Sequence, residues 1–123
     1  MDNKYEYATW ERCEDVIDLM EFNIKTSGYK IDTIYAIPRG GCVLGVMLSH
    51  KLNIPVQFNN DFVSNKTYLI IDDIADTGKT LEPYVNMPNK LIFTWYYHEQ
   101  STVIPDFYVD TKYNEWIVYP WEI

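Results

Sequence analysis

Two adjacent carboxylates, Asp72 and Asp73, close the apolar run Tyr68-Leu69-Ile70-Ile71, and three residues on comes Asp76-Thr77-Gly78-Lys79-Thr80. Paired carboxylates are hard oxygen ligands, suited to Mg²⁺ or to sugar hydroxyls. A glycine turn flanked by hydroxyls and opening a helix aims backbone N–H groups and the positive end of the helix dipole at an anion. Thr77 and Thr80 add hydroxyl donors. A second strand-like run, Thr33-Ile34-Tyr35-Ala36-Ile37, stops at Pro38-Arg39-Gly40-Gly41, and Arg39 carries the guanidinium fork that matches phosphate oxygens. The chemistry in prospect is the handling of a phosphorylated, hydroxylated ligand with a divalent metal.

Other readings of these residues fit less well. Gly78-Lys79-Thr80 matches the end of a P-loop, but the first glycine of that motif would fall at Asp73. A response-regulator acidic pocket would want its acids near the N-terminus and its phosphoacceptor on a later strand. A solvated acidic turn capped by Thr80 leaves two acids at the end of a buried strand without a role, which is costly. Pro38-Arg39-Gly40-Gly41 alone would serve equally well as a plain turn.

The elements that must position these groups follow from periodicity. Thr9 can cap a helix carrying Cys13, Val16, Ile17, Met20 and Ile24 on one face, ended by Ser27-Gly28. A second helix is predicted from Cys42 to Leu52, with Val43, Val46, Met47 and Leu52 as its apolar positions, and a second strand from Ile54 to Phe58. Residues 59–66 are polar and short, a hairpin or loop. Tyr68 to Ile71 reads as a central parallel strand covered on both faces, ending at Asp72-Asp73. A short helix is expected from Thr80 to about Met87, limited by Pro83. Leu91 to Tyr97 and Phe107 to Asp110 are further strands, and the tail Trp116 to Glu122 is strongly aromatic. Strand–helix–strand order implies an open α/β sheet with right-handed crossovers, and both motifs fall at the carboxyl ends of strands, where such sheets bind ligands.

Composition bounds the rest. The 123 residues carry 10 basic and 18 acidic side chains, a formal charge of -8, and two Arg. That length suits one domain over 1–123, burying roughly two-thirds of its unfolded surface. With 47% hydrophobic and 16% aromatic residues the chain has material for a core, and its acidity argues against non-specific nucleic-acid binding. No apolar run approaches the ~18 residues of a membrane span, and the first residues lack the apolar region of a signal peptide. Cys13 and Cys42 have no zinc spacing, so a reduced, cytoplasmic setting is expected.

The stretch Leu69 to Thr80 resembles the phosphoribosyl-pyrophosphate (PRPP) signature of the type I phosphoribosyltransferases: apolar residues, two acids, then acid-Thr-Gly-x-Thr. Ile34 to Gly41 resembles that family's pyrophosphate loop. Tyr7-Ala8-Thr9-Trp10 and the tail Trp116-Ile117-Val118-Tyr119-Pro120-Trp121-Glu122 resemble the bacterial xanthine-guanine branch, so the likeness runs from about Tyr7 to Glu122. It implies an open, mainly parallel twisted sheet with flanking helices and a small C-terminal hood that binds the base. It further implies a purine phosphoribosyltransferase joining the 5-phosphoribosyl group of PRPP to guanine, xanthine or hypoxanthine, with Mg²⁺ as cofactor and a homodimer or higher homo-oligomer as the assembly. A non-catalytic PRPP- or nucleotide-binding module is the alternative from another class.

By the same resemblance, Thr77, Gly78, Lys79 and Thr80 take the 5′-phosphate, while Asp72 and Asp73 take the ribose hydroxyls, directly or through Mg²⁺. Arg39 and Gly40 take pyrophosphate, with a non-proline cis peptide expected at Arg39-Gly40, and Asp76 is the acid/base at the purine ring. Trp116 would stack on the base, with Ile117 and Glu122 reading its edge; without the resemblance Trp116 and Trp121 read as core aromatics, and Tyr119 and Trp10 as packing. Two departures stand out. The lysine that the branch carries after its penultimate strand is absent from Trp95 to Gln100, leaving Tyr97 or His98 as substitute donors. The family's long closing loop is reduced to residues 59–67, which implies a reaction centre poorly shielded from water.

Overall fold

The computed structural model describes residues 4–122. The first strand, β1 (Tyr5–Tyr7), leads into α1 (Trp10–Ser27), which starts where the Thr9 hydroxyl accepts the Arg12 N–H at 3.0 Å. Cys13, Val16, Ile17, Met20 and Ile24 are its buried face, as their spacing predicts, and Gly28 ends it with φ 81°. Then follow β2 (Thr33–Ala36), α2 (Cys42–Leu52), β3 (Val56–Gln57), β4 (Tyr68–Ala75), β5 (Lys90–His98), β6 (Phe107–Lys112) and β7 (Trp116–Val118).

Five strands form one parallel sheet in the order β3-β2-β4-β5-β6. The tail strand β7 lies outside it and pairs in parallel with β1, making a two-stranded hood. The Tyr96 hydroxyl, donating to Glu6 at 2.8 Å, ties that hood to the main sheet.

Both helices lie on one face of the sheet, over Ile34, Leu69, Ile71, Phe93 and Trp95. The second face, with Tyr35, Tyr68, Ile70 and Ile92, is covered by loop side chains, among them Phe62, Leu81, Tyr84 and Met87. No α-helix forms from Thr80 to Met87, only a 3₁₀ turn at Glu82–Tyr84, because Pro83 supplies no N–H and Pro88 follows closely.

Two strand boundaries and one helix face differ from expectation. Strand β4 continues through Asp72 and Asp73 to Ala75, since β5 runs alongside it and pairs Asp72 with Thr94 and Ala75 with Tyr97. Strand β3 has only two residues, and residues 59–67 form a loop without strand pairing. The buried positions of α2 are Leu44, Gly45 and Leu48, while Val46 is exposed. Gly45 sets that orientation: a side chain there would overlap the Ala36 methyl of β2, so the helix lies close against the sheet at this point. Among the described residues no helix is long and apolar enough to cross a membrane.

Candidate active site

The phosphate-loop candidate, residues 76–81, leaves the carboxyl end of β4 as a tight turn. Gly78 has φ 93°, and a Cβ there would strike Thr102 and Val103, so only glycine fits. Thr102 braces the loop from below, its N–H donating to the Thr77 carbonyl at 2.9 Å. Within the turn, the Leu81 and Glu82 N–H groups donate to the Gly78 carbonyl at 3.1 and 3.0 Å, and Lys79 N–H to the Thr77 hydroxyl at 3.3 Å. The N–H groups of Thr77, Gly78 and Thr80 have no acceptor among the described residues. With the expected helix absent, these turn amides and hydroxyls, not a helix dipole, are what the loop presents to an anion.

Asp72 and Asp73 stand beside this loop, across a cavity of about 120 Å³ that Thr77, Gly78 and Thr80 also line. Asp72 is buried, and its carboxylate accepts the Asp73 N–H at 2.9 Å. Burial is the main force raising both carboxyls above the usual carboxylate range, and for Asp72 the charge of Asp73 adds to it. A divalent cation relieves that penalty, so the pair suits Mg²⁺. Among the described residues no cluster of three His, Cys, Asp or Glu could hold a metal unaided. Mg²⁺ binds by one or two carboxylates together with substrate phosphates and water, so a two-acid site is sufficient for it.

The loop after β2 rides on the same strand end. Its non-proline cis peptide joins Pro38 to Arg39, one bond earlier than expected. The glycines answer to a different constraint: a Cβ on Gly40 would meet the Asp73 carboxylate at 2.6 Å, and one on Gly41 the Ile71 carbonyl. Arg39 is exposed and enters no ion pair among the described residues, and neither does Lys79. The other arginine, Arg12, is committed elsewhere: its guanidinium grips Asp110 at 2.7 and 3.2 Å, and the Trp95 indole N–H joins the same carboxylate at 2.8 Å. Arg39 faces a wide cavity of about 620 Å³ shared with Gly40, Asp73, Trp121 and Glu122.

A third cavity, of about 170 Å³, opens between Asp73 and the hood. Trp116, 63% exposed, and buried Ile117 form one wall, Ile74 another, and Glu122 the rim. The Glu122 carboxylate accepts the Tyr119 N–H at 2.9 Å, which fixes the turn after β7. Tyr119 stacks on Trp121 with centroids 5.0 Å apart, and its buried hydroxyl has no partner among the described residues. Lys112, from the end of β6, also lines this cavity, with its ammonium 3.0 Å from Asp76 and 5.9 Å from the Trp116 ring centre.

No family model matches the chain. Xanthine-guanine phosphoribosyltransferases do: that of Idiomarina loihiensis is 26% identical over 145 residues, covering 98% of this chain and 89% of the relative. That of Vibrio vulnificus is 26% identical over 144 residues, covering 100% and 92%. The crystal structure of a purine phosphoribosyltransferase from Pyrococcus horikoshii superposes with a TM-score of 0.87 at 28% identity, covering 97% of this chain and 95% of that one. In sequence and in fold, the chain is similar to the purine phosphoribosyltransferases. The xanthine-guanine-hypoxanthine phosphoribosyltransferase of Helicobacter pylori shares the fold at a TM-score of 0.87 and 17% identity.

The tertiary structure gathers Asp72, Asp73, Thr77, Gly78, Thr80, Arg39, Gly40, Trp116, Ile117 and Glu122 around three adjoining cavities. It does not bring Tyr97 there: that ring pairs with Tyr108, centroids 4.8 Å apart, on the opposite face of the sheet. His98 turns its Nδ1 to Asp76 at 2.8 Å and is not in the wall of the Trp116 cavity. Lys112 is the residue that motif reading passes over. Its signal is the parallel register, which sets Lys112 opposite His98, and that register is not visible until β5 and β6 are aligned. Thr102, which braces the phosphate loop, carries no sequence signal at all.

Proposed function

We propose that the protein is a Mg²⁺-dependent purine phosphoribosyltransferase, forming a nucleoside monophosphate and pyrophosphate from PRPP and a 6-oxopurine such as guanine, xanthine or hypoxanthine. The observation that carries this reading is the meeting of three unlike surfaces at one strand end: an amide-rich turn, a pair of burial-strained acids, and a tryptophan-walled cavity. The relatives' names support the purine base as acceptor.

In the reaction the C1–O bond to pyrophosphate breaks as a ring nitrogen of the base bonds to C1 of the ribose. Thr77, Gly78, Lys79 and Thr80 hold the 5′-phosphate, and Asp72 and Asp73 hold the ribose hydroxyls and the metal. Mg²⁺, when bound, neutralises the charge that develops on the leaving pyrophosphate. Arg39 grips the same group through its guanidinium fork, above the bare backbone of Gly40. Trp116 stacks against the base, and the backbone around Ile117 and Glu122 reads its edge. At a net charge of -8 the molecule repels anionic PRPP from afar, so attraction has to be local, at Arg39, Lys79 and the metal. A homodimer accompanies this reading, supported by the exposed Tyr5, Tyr7, Trp10 and Phe22, and light scattering of the purified chain tests it.

One paired assay tests the activity. Calorimetry should show Mg²⁺-dependent PRPP binding, and pyrophosphate release should follow on adding guanine, xanthine or hypoxanthine but less so with adenine or orotate. Binding without turnover on any base would replace the transferase by a PRPP-sensing module.

A further inference from the structure

Gly78, at φ 93°, leaves the peptide unit before it free to turn over, because a residue without a Cβ accepts φ of either sign. Which way that unit faces decides what the phosphate loop offers. In a trans peptide the carbonyl and the next N–H point in opposite directions, and the bond between Thr77 and Gly78 is trans. One orientation aims the Gly78 N–H into the cavity beside Asp72 and Asp73. The other puts the Thr77 carbonyl oxygen there, which repels a phosphate.

The turn after β5 fixes the first orientation. Thr102 N–H donates to the Thr77 carbonyl at 2.9 Å, and a Cβ on Gly78 would stand 2.7 Å from the same nitrogen, so this turn runs directly against the loop. Thr102 is not in the wall of the cavity. The Thr77 carbonyl is therefore drawn to the far side, and the Gly78 N–H, without an acceptor among the described residues, to the near one. The Thr102 hydroxyl holds the other end of the loop: it donates to the Glu82 carboxylate at 2.6 Å and stands 3.2 Å from the Thr77 carbonyl. Thr102 is itself fixed by its neighbours. The buried Ser101 hydroxyl donates to the Val103 carbonyl at 2.7 Å and accepts the Val103 N–H at 3.2 Å, and Val103 shares with Leu81 the core of the helix-free face.

We propose that Thr102 is a positioning residue for the 5′-phosphate: by holding the Thr77 carbonyl and the Glu82 carboxylate it keeps the Gly78 N–H turned into the phosphate site. This rests on the phosphoribosyltransferase reading and deepens it. Where a helix follows such a loop, its first turn fixes the amides. Here a 3₁₀ turn follows instead, and the turn after β5 supplies the support. A loop that must first turn a peptide over binds more weakly by the fraction of time it spends facing the wrong way.

The test compares wild type with Thr102→Val, which keeps the N–H and loses the hydroxyl, with Thr102→Ser and with Glu82→Ala. Thermal unfolding checks folding, and Glu82→Ala carries the test if Thr102→Val does not fold. Calorimetric titration with GMP and with guanosine isolates the phosphate, the one group in which they differ. Wild type should favour GMP. Thr102→Val and Glu82→Ala should each lose about tenfold of that preference at unchanged guanosine affinity, as when one charge-assisted bond is lost, and Thr102→Ser should keep it. In turnover, Thr102→Val should raise KM for PRPP while kcat stays within about threefold. In amide NMR spectra of wild type the Gly78 signal should move on adding GMP and hold its place on adding guanosine. A Gly78 signal indifferent to GMP, or a GMP-to-guanosine ratio unchanged in both Thr102→Val and Glu82→Ala, overturns the proposal. Equal losses of GMP and guanosine affinity would make Thr102 a general support of the fold and overturn it as well, as would a wild type that binds the two alike. If wild type releases no pyrophosphate with any base while the titrations come out as expected, the transferase reading fails and the role of Thr102 stands.

Discussion

The ring of Phe62 meets that of Tyr84 edge-on, with centroids 6.0 Å apart and planes at 87°. Phe62 belongs to the loop between β3 and β4, and Tyr84 to the turn that follows the phosphate loop. The same ring packs against Tyr68 at 4.8 Å and Tyr35 at 5.2 Å, and the next residue, Val63, donates its N–H to the Tyr68 hydroxyl at 2.8 Å. The side-chain amide of Gln57 ties down the carbonyls of Asn59 and Asp61. The segment that sequence comparison offers as a cover for the reaction centre is therefore fastened to the helix-free face of the sheet.

A centre without its cover lets water compete with the base. Pyrophosphate release from PRPP should be measurable with no base present, and with limiting base it should exceed the nucleotide formed. Strict one-to-one stoichiometry and no base-free release would show that the centre is shielded by another means.

Phe62 is partly buried, so Phe62→Ala should cost about 2 kcal/mol, less than the ~3–5 typical of a fully buried Phe. The melting temperature should fall by about 10 °C for a domain of this size. Because Tyr84 shares the cluster, PRPP affinity should weaken too, and calorimetry of the refolded variant measures by how much.

The Asp76 carboxyl is held below its usual range in the folded protein, so it adds stability above the ordinary carboxylate value, and that stability is lost as pH falls through the folded value. Wild type should lose melting temperature more steeply than Asp76→Asn below about pH 4. Parallel acid limbs in the two proteins would show that the His98 and Lys112 contacts do not survive in solution.

For Asp72 the sign is reversed. A carboxyl raised by burial and by Asp73 favours the folded state when protonated, so stability declines as pH rises past the ordinary carboxylate range. At neutral pH and without metal, Asp72→Asn should melt several degrees above wild type. Mg²⁺ with PRPP should stabilise wild type strongly and the variant little, because a ligand stabilises in proportion to its affinity for the folded state.

The two arginines separate fold from function. Arg39→Ala should leave the melting temperature unchanged and weaken PRPP binding about 10–100-fold, the size of a lost charge-assisted bond. Arg12→Ala should cost about 1 kcal/mol, since the Arg12–Asp110 pair is partly exposed, and should leave PRPP affinity as it was.

Much of this molecule was legible along the chain. Helix α1 followed from the Thr9 cap, the three-to-four-residue spacing of its apolar side chains and the stop at Gly28, all local effects within one segment. Strand β4, Asp72 and Asp73, and the glycine turn at Gly78 were legible for the same reason: each constraint acts between residues a few positions apart. The face that α2 buries was misjudged because a single long-range contact, Gly45 on Ala36, overrides its apolar pattern. The helix expected after Thr80 was lost to Pro83 and to packing of Tyr84 under Phe62.

By itself, then, the sequence determined where the acids, the phosphate-loop candidate and Arg39 stand in the order of strands, because apolar runs and tight turns are set by neighbours in the chain, whereas the end of β4 was set by its pairing with β5. Only the tertiary structure decided what those groups touch. Lys112 reaches Asp76 across 36 positions because the parallel register of β5 and β6 sets it opposite His98, and Thr102 supports Thr77 across 25. Contacts of that range depend on how strands align and how faces pack, and no periodicity within a single segment encodes them.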